Sequence, residues 1–137
     1  MRKLLITLSL FLTVISATAQ VTFEESATLS SLLTKSKEEG KLIFVDCYAS
    51  WCGPCKFMDN NVFSNKNVGE FMNDNFINAK FDMEKDEGPT IGRKYSIKSY
   101  PTFLILDSKG NIVAKLVGSS NANEFISRIE TALKEKE

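Results

Sequence analysis

Two cysteines separated by only two residues, Cys52 and Cys55, constrain this 137-residue chain more than any other feature. With Cys47 they make up all of its cysteines, and three cysteines so close together cannot cross-link distant parts of a fold. A disulfide between the pair would close too short a loop to remove much chain entropy, so stability is a poor reason for it. A zinc site needs more ligands, but the sequence has no histidine. The pair therefore indicates local redox chemistry.

The pair follows a predicted strand and begins a predicted helix. The run LIFV at 42–45 is continuously apolar, which is typical of a strand covered on both faces. A helix is expected from Cys52, because Pro54 suits a first helical turn, where a missing N–H costs nothing. Unpaired N–H groups at that positive helix end favour a thiolate. We expect Cys52 to be the outermost, attacking sulfur and Cys55 the more buried, resolving one.

Helices and strands are predicted to alternate along the rest of the chain. Strands are expected at 42–49, 76–83, 102–106 and 111–117, the last two as an antiparallel hairpin around the turn 107–110. Helices are expected over 24–39, from Cys52 with the inner face Phe57, Met58 and Val62, from an N-cap at Ser64, over 89–95, and from an N-cap at Asn121. Strands separated by helices favour an α/β fold with a central mixed β-sheet flanked by helices.

The first nineteen residues have the layout of a secretory signal peptide. Three residues with two basic side chains precede an apolar run at 4–15, and small residues at 16–19 follow. The apolar run is about 18 Å long as a helix, well short of a hydrocarbon core of roughly 30 Å, which disfavours a membrane anchor. The predicted division is therefore a signal peptide at 1–19 and one domain at 20–137. We expect an exported protein, in the periplasm or secreted, without stable membrane insertion after cleavage.

Four segments of the chain resemble the thioredoxin superfamily, and the resemblance spans about residues 25–135. The segments 42–46 and 49–56 read LIFVD and ASWCGPCK, the segment 99–102 reads SYPT, and 115–118 reads KLVG. Residues 62–64 and 82–88 are also similar to exported thioredoxin-like proteins, among them the C-terminal domains of transmembrane disulfide reductases. The resemblance implies a thioredoxin-like fold and a redox disulfide between Cys52 and Cys55.

Asp46 is the candidate proton acceptor of the site. It interrupts an apolar strand, and burial of a lone carboxylate is expected to raise its pKa. Such a group can take the proton of Cys55, which is the role that the resemblance implies at this position. A partly exposed aspartate at a strand end is the alternative. Lys80 falls where the family carries a lysine near that acid. The alternative is an outward-facing lysine on an edge strand.

A substrate-binding surface is implied mainly by the resemblance. Its expected residues are Trp51, Gly53, Pro54, Tyr100, Pro101 and Gly118. The Tyr100–Pro101 bond is implied to be cis, which lets the Tyr100 backbone pair with an extended peptide as in strand addition. The alternative for Trp51 is a tryptophan in the core, and the alternative for Gly118 is an ordinary turn glycine. Cys47 reads as a small buried hydrophobe rather than a regulatory thiol, and the acidic run 84–87 as a solvated loop.

The expected function is reduction of protein disulfides outside the cytoplasm. Pro54 offers no N–H to the Cys52 sulfur, and a less stabilised thiolate favours a less oxidising disulfide. Electrons are expected from an upstream thiol donor, membrane-borne, because the sequence has no nucleotide-binding glycine pattern and indicates no cofactor or metal. With 17 basic and 17 acidic residues, the chain shows no charge excess suited to nucleic acid. Disulfide oxidation or isomerisation, and a chaperone-like module with incidental cysteines, are the alternatives.

Overall fold

The computed structural model describes residues 20–135. The predicted signal peptide at 1–19 lies outside the described residues, as do positions 136 and 137. In chain order the elements are α1 Leu29–Glu39, β1 Leu42–Tyr48, α2 Gly53–Phe57, a π-helical turn Met58–Val62, α3 Lys66–Asn75, β2 Phe76–Asp82, α4 Gly88–Lys94, β3 Thr102–Leu106, β4 Ile112–Val117 and α5 Ala122–Lys134. The predicted alternation of helices and strands is confirmed.

The four strands form one mixed sheet in the order β2-β1-β3-β4. β1 runs parallel to β2 and antiparallel to β3, and β3 and β4 form the predicted antiparallel hairpin. β1 is therefore hydrogen-bonded along both sides. In the register of these ladders Asp46 lies opposite Lys80 of β2 and Phe103 of β3. This register places the predicted acid beside the predicted lysine.

The sheet is covered on both faces, because successive side chains of a strand point to opposite sides. Phe44 and Phe103 face one side, where Phe63 and Phe125 pack against them with ring centroids 5.4–6.1 Å apart. The other side holds a second cluster, formed mainly by Leu32, Ile43, Val45, Ile91, Leu104 and Leu106. The expectation that the apolar run of β1 is buried on both faces is confirmed.

Two predicted helix starts are wrong. α1 begins at Leu29 and not at 24, because Thr28 caps it through a reciprocal pair of bonds with Ser31. The preceding residues instead run along β2, where Phe23 bridges Asn78. α3 is capped by Asn65, whose side chain accepts from two backbone N–H groups, and not by Ser64. The predicted cap at Asn121 is confirmed by its bond from the N–H of Glu124, 3.0 Å long.

The helix that carries the cysteines has an inner face different from the predicted one. Met58 and Val62 are buried as expected, but Phe57 is exposed. Cys55 and Met58 are three residues apart and share the buried face, which places Phe57 on the opposite face. The helix also widens into the π turn, where the N–H of Phe63 donates to the carbonyl of Met58 at 2.8 Å.

Candidate active site

The cysteine pair lies at the start of α2, shortly after the end of β1. Cys52 is the N-cap residue of α2, and its sulfur accepts the N–H of Cys55 at 3.2 Å. The two sulfurs are joined in a disulfide, with the Cα atoms 5.3 Å apart. Pro54 lies in the first helical turn, as predicted. A backbone donor thus points at the sulfur of Cys52, which stabilises negative charge there once the disulfide opens.

The expected difference in burial between the two cysteines is wrong for this oxidised form. Cys52 and Cys55 are each 3% exposed, and both pack with Ala49 in a small cluster that Tyr48 and Tyr100 cover. The attacking role of Cys52 and the resolving role of Cys55 therefore depend on which sulfur is stabilised as a thiolate, and not on a difference in exposure.

Asp46 is fully buried on β1 and is the most perturbed carboxyl group of the site. Its side chain is 1% exposed, and its Oδ1 atom has no hydrogen-bond partner in the described chain. Burial raises its pKa from 3.8 to about 7, against the opposing effect of the Lys80 ammonium, whose Nζ lies 3.6 Å from Oδ2. Its environment is therefore the predicted one: a carboxyl group that can take up and release a proton near neutral pH.

Lys80 is shared between two carboxylates, of which only Asp46 was predicted from the sequence. Its Nζ bonds to Oδ1 of Asp59 on the π turn as well as pairing with Asp46. The charge of Asp59 raises the pKa of Asp46. The side chain of Lys80 is 22% exposed, and its Nζ lies 4.9 Å from the ring centroid of Tyr48. The alternative of an outward-facing, solvated lysine is therefore wrong. The signal for Asp59 was its position four residues after Cys55, one helical turn along the same segment.

Trp51 and Tyr100 form the rim of the site. Trp51 is 65% exposed, which rules out a core tryptophan, and its ring centroid lies 6.0 Å from that of Tyr100. The indole N–H of Trp51 donates to both carboxylate oxygens of Glu84, at 3.1 and 3.0 Å. Glu84 belongs to the acidic run 84–87, for which only a solvated loop was predicted. These hydrogen bonds restrain the orientation of the Trp51 ring.

The loop opposite the disulfide contains the cis peptide bond that the resemblance implied, between Tyr100 and Pro101. The Pro101 carbonyl accepts the N–H of Gly118 at 2.9 Å. Gly118 has a φ of +88°, which favours glycine, and a Cβ atom built there would meet nothing within 4 Å. The same is true of the space beside Gly53. The surfaces next to Gly118 and Gly53 are therefore open to an approaching chain.

Cys47 lies apart from the redox pair. It is completely buried on β1 in the cluster of the other sheet face, not in the cluster that contains Cys52 and Cys55. Burial raises the pKa of its thiol to about 12, and the charge of Asp46 adds to that effect. A thiol with this pKa is almost entirely protonated at neutral pH, which agrees with its interpretation as a small buried hydrophobe.

Two structural features are absent from residues 20–135. Within that range no group of three or more histidine, cysteine, aspartate or glutamate side chains is arranged to hold a metal ion. In the same range no helix combines the length and the apolar character needed to cross a bilayer. A cavity of about 470 Å³ is lined by Tyr48 and Lys80, and Glu24, Asp82 and Glu87 are among its other lining residues.

Comparison with known proteins gives a consistent set of relatives. A family model described as Thioredoxin matches residues 20–131. The chain is 42% identical over 96 residues to thioredoxin Y1, chloroplastic, of Arabidopsis thaliana, a match that covers 70% of this chain and 52% of that protein. It is 28% identical over 119 residues to the thiol:disulfide interchange protein DsbD of Yersinia pestis (strain Pestoides F), covering 84% of this chain and 20% of that protein. The chain spans about half the length of the curated thioredoxin Y relatives it matches.

Solved structures give the same result for the fold. A putative disulphide-isomerase from Bacteroides thetaiotaomicron superimposes with a TM-score of 0.75 at 38% identity, covering 83% of this chain and 93% of that one. The oxidised C-terminal domain of DsbD from Neisseria meningitidis superimposes with a TM-score of 0.65 at 23% identity, covering 82% and 98%. The second likeness concerns the fold alone.

Proposed function

The chain belongs to the thioredoxin family, and from this membership and the geometry of its cysteine pair we propose that it is a thiol–disulfide oxidoreductase that reduces protein disulfides outside the cytoplasm. The observation that carries the proposal is the disulfide between Cys52 and Cys55 at the start of α2, with the N–H of Cys55 directed at the sulfur of Cys52. A stabilised thiolate next to a second thiol is the arrangement that dithiol–disulfide exchange requires.

The proposed reaction moves two electrons from this chain to a substrate disulfide. The Cys52 thiolate attacks one substrate sulfur, which forms a mixed disulfide and releases the other substrate sulfur as a thiolate. Cys55 then loses its proton and attacks Cys52, which releases the second substrate sulfur and leaves the Cys52–Cys55 disulfide. Asp46 is the proposed acceptor of the Cys55 proton, because its pKa of about 7 lets it change protonation state in each cycle. Lys80 supports the ionised form of Asp46 once the proton has left.

The direction of net transfer is part of the proposal. The donor on the Cys52 sulfur is the N–H of Cys55, and Pro54 cannot supply another. A thiolate with fewer donors is less stabilised, which makes the disulfide a weaker oxidant and favours reductase activity. Regeneration of the dithiol needs an upstream thiol donor, proposed to be membrane-borne. The relatives named as thiol:disulfide interchange proteins support a partner of the same chemistry.

The proposed location depends on the first nineteen residues. Their order of basic, apolar and small side chains supports a cleaved signal peptide and export to the periplasm, with secretion as the other destination. Expression of the whole chain in a Gram-negative host, followed by fractionation and N-terminal sequencing, tests both points. We expect a product that begins at Gln20 and leaves the cytoplasm. Uncleaved protein confined to the cytoplasm would contradict this part of the proposal.

Reduction of insulin disulfides tests the activity. Cys52→Ser should abolish turnover, whereas Cys55→Ser should accumulate a mixed disulfide with the substrate, since the resolving thiol is absent. Cys47→Ser is the matched control, because Cys47 is buried away from the pair, and it should keep wild-type turnover. Full activity of Cys52→Ser would eliminate the mechanism. A measured potential near about −120 mV, rather than near about −270 mV as for thioredoxin, would reverse the proposed direction.

Disulfide isomerisation is the second candidate, because the putative disulphide-isomerase from Bacteroides thetaiotaomicron is 38% identical to this chain. An isomerase must release the mixed disulfide without net electron transfer, so it should restore activity to a test protein with scrambled disulfides at catalytic amounts. Rescue that needs only Cys52 would favour isomerisation, and rescue that needs both cysteines and a stoichiometric reductant would favour reduction.

A further inference from the structure

Arg128 connects α5 to the loop that follows β4. Its two terminal guanidinium nitrogens donate to two successive backbone carbonyls, Nη1 to Gly118 at 3.1 Å and Nη2 to Val117 at 2.8 Å. The side chain is half-buried. A planar guanidinium that donates through both arms fixes the orientation of its acceptors as well as their distance.

The two carbonyls belong to the two peptide groups on either side of the Gly118 Cα atom. In a trans peptide the C=O and the N–H point in opposite directions. The Val117 carbonyl points to Arg128, and the N–H of the same peptide group points to the carbonyl of Pro101, at 2.9 Å. One peptide group is therefore held from both sides, by Arg128 and by the cis-proline loop.

Gly118 needs such a restraint. Glycine visits positive and negative φ values almost equally, so a φ of +88° is not enforced by the residue itself. The side of Gly118 where a Cβ atom would lie is open. Without Arg128, the Gly118 carbonyl would lose this hydrogen bond, and the peptide group before Gly118 would be held only by the Pro101 carbonyl and by the end of the β3–β4 ladder. A surface that is held in its binding conformation before a ligand arrives binds that ligand more tightly.

We propose that Arg128 is a positioning residue for protein substrates, which keeps Gly118 and the Tyr100–Pro101 loop in the orientation that accepts an extended polypeptide beside Cys52. This inference rests on the proposed function, since it assumes that the loop receives the substrate. Arg128 does not touch the reacting sulfurs, so the chemistry of the disulfide is unchanged by its loss. A small disulfide that needs no polypeptide surface is reduced as fast with Arg128 as without it.

The test compares two variants of Arg128. Arg128→Met keeps an apolar side chain but has no hydrogen-bond donors, and Arg128→Lys keeps the charge but cannot donate through two planar arms. Lys134→Met is the matched control, because it removes one charge from an exposed position of the same helix. KM and kcat are measured with insulin, and rates with a small aromatic disulfide, alongside the redox potential and the Tm. For Arg128→Met, KM for insulin should rise roughly fivefold to tenfold, the equivalent of about one net hydrogen bond. The small-disulfide rate and the potential should stay at wild-type values, and Arg128→Lys should recover part of the loss.

Two results would overturn the inference: an unchanged KM for insulin, or an equal loss with both substrates, which would indicate a role in stability alone. Failure of the proposed function gives a different pattern, in which the wild-type chain reduces neither substrate. In that case the affinity for a tryptophan-free extended peptide decides the role of Arg128, monitored through the fluorescence of Trp51, the only tryptophan. Weaker peptide binding by Arg128→Met would sustain the inference, and equal binding would end it.

Discussion

Replacement of the buried acid, Asp46→Asn, should change how the stability of the protein depends on pH. Burial raises the pKa of Asp46 from 3.8 to about 7. Between those values the unfolded chain has an ionised Asp46 while the folded chain keeps it protonated, so the unfolded state binds fewer protons. The stability that comes from this group is therefore complete below about pH 4 and is lost as the pH rises through 7.

The magnitude follows from the shift in pKa. About three units at 1.36 kcal/mol each correspond to a loss of about 4 kcal/mol of unfolding free energy between about pH 4 and pH 8. Asparagine keeps the shape of the side chain and has no charge to lose. The difference between the Asp46→Asn variant and the wild type should therefore grow by about that amount across this range, in favour of the variant. A plateau should follow above the folded pKa.

Urea unfolding of the oxidised protein at closely spaced pH values measures this difference directly. Oxidised protein is used so that the disulfide does not change during the titration. Asp74→Asn is the matched control, because it removes an exposed carboxylate from α3, and its difference from the wild type should stay nearly constant. Parallel stability curves for Asp46→Asn and the wild type, or a difference that shrinks as the pH rises, would refute the assigned pKa and its cause.

Three further predictions concern other parts of the structure. In the same pH series, Asp59→Asn should lower the midpoint of the Asp46 transition and Lys80→Met should raise it, because the two charges act on that carboxyl group in opposite directions; shifts of the same sign would contradict the shared ion pair. Gly118→Ala should destabilise by about 1 kcal/mol, measured by urea unfolding, because alanine is strained at a φ of +88°, and a neutral result would question that conformation. Phe125→Ala should cost roughly 3–5 kcal/mol by the same assay, since the ring is fully buried among other aromatic rings, and a loss below about 1 kcal/mol would contradict that packing.

The secondary structure could be predicted where the residues of an element themselves determine its conformation. The apolar run at 42–45 is typical of a strand buried on both faces, and the turn at 107–110 between two strand patterns favours a hairpin; the structure confirms both. The start of α1 was predicted five residues too early, because the helical spacing of Leu29, Leu32 and Leu33 does not define where the helix begins, and the true start depends on the bond pair between Thr28 and Ser31. Pairing of Phe23 with Asn78 of β2 also competes with helix there, and a contact over that sequence distance leaves no local signal.

The candidate site was predictable where the residues act on their immediate neighbours along the chain. The cysteine pair and the perturbed Asp46 could be derived from sequence because strand, turn and helix follow one another directly. The position of Asp59 one helical turn after Cys55 places it near the pair, but its bond with Lys80 could not be derived, since Lys80 is 21 residues away, on a strand whose register with β1 is a property of the whole sheet. The bond between Glu84 and Trp51 spans 33 residues and was missed for the same reason.

The position of β1 between two neighbouring strands also determines how a third thiol can coexist with a reactive disulfide. Cys47 is hydrogen-bonded into the sheet opposite Phe81 on one side and Thr102 on the other. It can reach the Cys52–Cys55 bond only if both ladders open, which amounts to unfolding the centre of the domain. Scrambling among the three sulfurs is therefore paced by the global unfolding rate, and the folded protein keeps its native pairing for as long as the sheet stays closed.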